Sequence, residues 1–259
     1  MNRTRIIAAL LGCMCFAPLM AQNSLRVAAA ADLGPVLPPI LAKFEQATGI
    51  HTEVTFQASA ALTTLIENGA PFDLFLAADL GYPQRLLAAG LAEAPGAADA
   101  KQPITYAEGT LVLWALKGSH LPAPSLDLLR SPDLKRLAIA NPDRAPYGKA
   151  AVSALRSLGL YEALQPKFVT AENIAQAAQF AGSGNADAGL ISLTSALTAQ
   201  MSSTGSYFVM PRESYPPIEQ GMVVIKSSTH KDAARKLLDY LLSAPVQAQL
   251  GKSGLTPVH

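Results

Sequence analysis

The stretch VAAAADLG, Val27 to Gly34, closes a short apolar run with four alanines and hands over to a carboxylate, a glycine and then Pro35. A strand that ends in side chains this small, just ahead of a helix start, leaves backbone N–H groups uncovered. Such a turn can hold an anion, yet Asp32 is the residue an anion would least favour there. The same design recurs in FQASAAL with Ser59, in NPDRAPYGKAA with Tyr147 and Gly148, and in TAENIAQA with Asn173 and Ile174. Each junction offers unpaired N–H groups at the positive end of a helix dipole. If the four converge, they bind an oxyanion through neutral donors, with Arg144 and Lys149 as the only bases in these turns. Ordinary capping competes with this reading, because Asp32, Ser59 and Asn173 are all favoured N-cap types.

Working outward from Val27, short apolar runs alternate with helical patterns. LRVAAA, HTEVTF, FDLFLAA, GTLVLWALK, LAIANP, AGLIS, YFVMP and MVVIK have strand character. Between them LPPILAKFEQAT, SAALTTLIENGA, PQRLLAAGL, GKAAVSALRSLGL, NIAQAAQFAGSG and KDAARKLLDYLLS repeat apolar residues at three- and four-residue spacing. This alternation predicts an α/β fold with mostly parallel sheets flanked by helices. There is no internal repeat and no low-complexity linker, so a division into lobes has to use crossing strands. GTLVLWALK and YPPIEQGMVVIK are expected to lead out and back. That places one discontinuous lobe at residues 22–104 and 216–259 and a second at 105–215.

Composition narrows the function. The 259 residues are 50% hydrophobic and 15% charged with a formal net charge of +1, which supplies a sizeable core and no basic excess for a nucleic-acid partner. Residues 1–21 carry Arg3 and Arg5 ahead of a short apolar segment ending in Ala21, the pattern of a secretory signal peptide. LLGC also resembles a lipoprotein processing site, with Cys13 as the acceptor. Cys13 and Cys15 are the only cysteines, so cleavage after Ala21 leaves a chain without disulfide, thiol or thiolate chemistry. His51, His120, His230 and His259 show no metal-ligand spacing, and no cation site is expected.

The ordered set AAAADL, ENGAPFDLFLAAD, GTLVLWALK, LAIANPDRAPYGKAA, LGLYEALQPKFVTAENIAQAAQF and GNADAGLISL resembles the periplasmic molybdate-binding protein family of ABC importers, from about Leu25 to the last helices. The resemblance implies a two-lobed, type II-like periplasmic binding protein with its ligand at helix N-termini in the cleft between lobes. It further implies a molybdate or tungstate ligand without cofactor or catalysis, a membrane permease as partner, a periplasmic location and a monomer. Carried over, the contacts are the Ala31–Asp32 turn and Ser59 in one lobe, and Tyr147 and the N–H of Ile174 in the other. Two positions depart from the pattern. Asp32 stands where the family commonly has Ser or Asn, and Ser192 stands where some members place a binding Tyr, which leaves Ser192 a secondary candidate.

The alanines keep bulk out of a cleft and let ligand and opposite lobe approach the backbone. For Asp32 the preferred expectation is capping with the carboxylate turned away. The alternatives point it inward, either protonated or accepting a proton from a ligand such as phosphate, because an ionised carboxylate beside a dianion is repulsive. Trp114 and Tyr106 are expected to pack, and Asp73 and Asp79 to cap turns. An enzyme acting on a phosphorylated substrate would need a nucleophile–base pair or a P-loop, and neither is evident. A sensor or adhesion module that has kept the fold is the third class.

Overall fold

In the computed structural model, which describes residues 24–94 and 102–258, the strand–helix alternation resolves into two mixed sheets. The expected signal peptide, Cys13, Cys15 and His259 lie outside the described residues. The first lobe opens with β1 (Leu25–Ala30), a single 3-10 turn (Ala31–Leu33), α1 (Leu37–Thr48), β2 (Thr52–Gln57), α2 (Ser59–Glu67), β3 (Leu74–Leu76), α3 (Gly81–Ala88), β4 (Ala92–Glu93) and β5 (Ile104–Gly109). The second lobe holds β6 (Leu111–Leu116), α4 (Leu126–Arg130), β7 (Leu137–Ala140), α5 (Pro146–Ser157), α6 (Tyr161–Leu164), β8 (Phe168–Ala171), α7 (Ile174–Gly182), β9 (Ala188–Ser192), α8 (Leu193–Ala196), α9 (Ala199–Thr204) and β10 (Gly205–Val209). The chain then returns to the first lobe through β11 (Ile218–Ile225), α10 (Lys231–Leu242), α11 (Ala244–Lys252) and β12 (Leu255–Pro257).

The first sheet runs β12-β5-β11-β3-β1-β2 with β4 beside β11, and the second runs β10-β6-β9-β7-β8. Parallel pairing is confined to β2-β1-β3 and to β8-β7-β9. The remaining strands pair antiparallel, so the sheets are mixed rather than mostly parallel. The cause is the crossing itself: β6 enters the second sheet, and β11 re-enters the first, against the direction of their neighbours. The sequence division at 104/105 also moves, because β5 pairs with β11 and β12 in the first sheet and the chain crosses only after Gly109.

Burial follows the strand period. In β1, Val27 and Ala29 pack beneath α1 and α10 while Ala28 joins Leu62, Phe75 and Val223 on the opposite face. Each face of the sheet is therefore covered, as a strand without alternation demands. Ala30, Ala31 and Ala78 belong instead to the hydrophobic core of the second lobe. Their small side chains let the two lobes meet at the ends of β1 and β3. Among the described residues no helix is long and apolar enough to cross a membrane.

Candidate functional site

Parallel registers bring the four junctions together in pairs. Ala30 of β1 lies opposite Gln57 of β2, and Ala140 of β7 lies opposite Ala171 of β8, so all four turns leave the carboxyl ends of adjacent parallel strands. Open α/β sheets bind ligands at such ends. Ala30, Ala31, Asp32, Ala58, Ser59, Tyr147 and Ile174 line one cleft between the lobes, together with Gln57, Ala78, Ala145, Pro146 and Asn173. The candidate residues Ala31, Asp32, Ser59, Tyr147 and Ile174 thus share one space.

Their local roles differ. Asn173 caps α7, its Oδ1 accepting from the Gln176 N–H at 3.0 Å, and leaves the N–H of Ile174 without an intrahelical partner at the first helical position. Ser59 is not a cap: Ala58 holds that position, and Ser59 is the first residue of α2. Its Oγ accepts from the Ala78 N–H at 3.1 Å, which fixes the hydroxyl and leaves its proton available to a ligand. Pro146 begins α5, where the missing N–H costs nothing. Gly148 lets α5 approach the end of β7, since an added Cβ would lie 2.8 Å from the Asn141 carbonyl oxygen.

The capping expectation for Asp32 is overturned. Asp32 lies inside the 3-10 turn, no side chain caps that turn, and α1 starts only at Leu37. Its fully buried carboxylate faces inward. Oδ2 accepts from the Tyr147 hydroxyl of the second lobe at 3.0 Å and from Gln220 Nε2 of β11 at 2.5 Å. The Thr194 hydroxyl of α8 donates to the Asp32 carbonyl at 2.8 Å. Oδ1 has no partner, and neither has Oε1 of Gln220. Burial pushes the Asp32 carboxyl up to about 6, against the lowering effect of the bonds from Gln220 and Tyr147. Burial and the neighbouring Asp32 together hold the Tyr147 phenol well above its usual range.

Gln220 is the residue that sequence reasoning missed. It is a buried amide in a strand whose one other polar side chain, Glu219, is exposed, and a register shift between Gln220 and Gly221 marks a bulge beside it. The available signal was a polar side chain at the inward phase of the strand, two residues after the buried Ile218 and directly before a glycine. Gly109, at the crossing, makes room for Tyr147: a Cβ there would sit 2.8 Å from Tyr147 Cζ and closer still to its hydroxyl.

Ser192, the secondary candidate, is buried at the end of β9. It caps α8, accepting from the Ser195 N–H at 3.3 Å and donating to Ser195 Oγ at 2.9 Å, and it does not line the cleft. The two bases are engaged at the rim. Arg144 Nη1 pairs with Glu172 at 3.0 Å, and Lys149 Nζ lies 4.0 Å from Asp79 and 5.0 Å from the centre of the Tyr82 ring. Asp79 does cap its turn, accepting from the Tyr82 N–H at 3.1 Å. The Ala60 N–H donates to the Arg144 carbonyl at 3.3 Å, a further bond from lobe to lobe. The lobes are therefore closed on each other, and the cleft between them presents hydroxyl and backbone N–H donors with one buried carboxylate.

Two lobes joined by crossing strands, with helix N-termini from both facing one cleft, define a two-lobed solute-binding protein of the periplasmic binding protein fold. The chain belongs to the bacterial extracellular solute-binding proteins, whose family model matches residues 25–256, and within them to the molybdate-binding protein family. It is 38% identical over 216 residues to molybdate-binding protein ModA of Azotobacter vinelandii, covering 83% of each chain. To the ModA of Rhodobacter capsulatus it is 36% identical over 221 residues, covering 85% of this chain and 83% of that one. The solved Azotobacter vinelandii periplasmic molybdate-binding protein superposes with a TM-score of 0.83 at 31% identity, over 91% of this chain and all of that one.

Proposed function

We propose that this chain captures a tetrahedral oxyanion dianion, molybdate or its congener tungstate, by closing its lobes, and hands it to the permease of an ABC importer. The observation that carries the reading is the convergence of four strand-to-helix junctions, two from each lobe, on a cleft whose donors are neutral. Helix N-termini and hydroxyls stabilise a buried anion without bringing a cation into the site. Ala31, Asp32, Ser59, Tyr147 and Ile174 are the proposed contacts. The anion binds one lobe first and recruits the donors of the other, shifting the population toward the closed form. The protein acts as a monomeric binding protein outside the cytoplasm, after removal of residues 1–21, and catalyses no reaction. The names of the relatives supply molybdate as the ligand.

A thermal-shift series on the mature protein tests this, because a ligand that binds only the folded state raises Tm. Molybdate and tungstate should produce large shifts and sulfate a small one. A larger shift with sulfate or phosphate would contradict the assignment.

A further inference from the structure

Asp32 is the one carboxylate lining a cleft built for a dianion, and among the described residues no cation balances it. The groups that face it are Tyr147 from α5, Gln220 from β11, the Thr194 hydroxyl from α8 and, through space, the Tyr106 phenol of β5. Tyr215 acts on Tyr147 in turn. The charged groups of the neighbourhood are committed to one another away from the cleft lining: Arg144 with Glu172, Lys149 with Asp79, and Arg212 with Glu108 beside the crossing. Both side-chain donors reaching the carboxylate converge on Oδ2, leaving Oδ1 buried and unpartnered. A buried acceptor without a donor is costly, and an ionised one beside a second anion is costlier. A single proton on Oδ1 removes the charge and turns the orphaned acceptor into a donor.

We propose that Asp32 holds the captured oxyanion as a neutral carboxylic acid, so that closing on a fully deprotonated dianion takes up one proton from solvent. This rests on the oxyanion reading above and deepens it into a basis for selectivity. An acceptor-only dianion such as molybdate needs donors throughout its shell, which the protonated acid helps to complete. An anion that carries its own proton, such as hydrogen phosphate, would need an ionised acceptor in the same place. Burial already pushes the Asp32 carboxyl up to about 6, and repulsion from a bound dianion pushes it further in the same direction, so the protonated fraction rises on binding.

The test is titration calorimetry of the mature protein with molybdate, in two buffers of different ionisation enthalpy, between about pH 6.5 and 8.5. Uptake approaching one proton is expected above about pH 7, with affinity falling close to tenfold per pH unit. Asp32→Asn should take up none, show affinity nearly independent of pH, and bind more tightly than the wild type at the alkaline end. Tight wild-type binding of molybdate with no proton uptake and flat affinity over the whole range would overturn the proposal while leaving the oxyanion reading intact. The wild-type result stands alone if Asp32→Asn fails to fold. Absence of binding heat with molybdate, tungstate and sulfate alike would overturn the underlying reading and the proposal with it. Phosphate bound more tightly than molybdate, without proton uptake, would show Asp32 acting as an ionised acceptor.

Discussion

Asp32 and Asn173 are nearly isosteric residues at related junctions, each following a parallel strand of its lobe, and they do different work. Asn173 has extended backbone with helix α7 beginning at the next residue, so its side-chain oxygen folds back onto the Gln176 N–H. Asp32 sits in a separate 3-10 turn, with Gly34 and Pro35 between it and α1, and has no helix start within reach. Its carboxylate is taken up by residues 115 and 188 positions away in sequence. A side chain's cap preference decides its role only where the backbone puts a helix N-terminus next to it. Where the helix is displaced, the same chemistry becomes a contact between lobes.

The largest effect that would break or sharpen this comparison is the pH dependence of folding stability in the ligand-free protein. The folded carboxyl of Asp32, at about 6 against 3.8 for a free aspartate, binds more protons than the unfolded one between those limits. Stability is therefore lost as pH rises through that window, by up to about 3 kcal/mol. Asp32→Asn removes the term, so denaturant melts should show the variant more stable than the wild type above about pH 6.5, with the gap closing toward about pH 4. A gap independent of pH would mean that Asp32 does not titrate in the folded core.

Gly109→Ala comes next. The added methyl collides with the Tyr147 ring and hydroxyl, and overpacking of this kind costs about 1–3 kcal/mol. Because Tyr147 carries the bond to Asp32, affinity for the oxyanion should fall together with Tm. An alanine variant of unchanged affinity would show that the Tyr147 position is not needed for closure. Asn173→Ala should produce the smallest change, about 1 kcal/mol of stability from the lost cap, with the same loss at acid and neutral pH. Any pH dependence in that variant would erase the distinction between the two junctions.

Much of this was legible in the sequence because it is local. LPPILAKFEQAT coincides with α1, Leu37–Thr48, since its apolar spacing and paired prolines at the start leave little choice. The four junctions were visible for the same reason, as small residues between an apolar run and a helical one. The parts that were not legible depend on partners remote in sequence. The sequence boundary at 104/105 cuts β5 after its first residue, because nothing in ITYAEG announces pairing with β11 and β12. α11 escaped notice because among its residues only Val246, Gln247 and Leu250 are buried, too sparse an apolar stripe to read. The direction of Asp32 and the role of Gln220 depend on a bulge and on a tyrosine delivered by the other lobe. The N-cap chemistry of Ser59 is not used, because the cap position falls one residue earlier at Ala58.

The central claim, that the junctions of both lobes converge to hold one oxyanion, is tested most directly by crystallising the mature protein with tungstate and locating the metal by its anomalous scattering. One peak is predicted in the cleft, within hydrogen-bonding reach of the Ser59 hydroxyl and the N–H groups at Asp32, Tyr147 and Ile174. A peak elsewhere on the molecule, with the cleft closed and free of tungsten, would contradict the account.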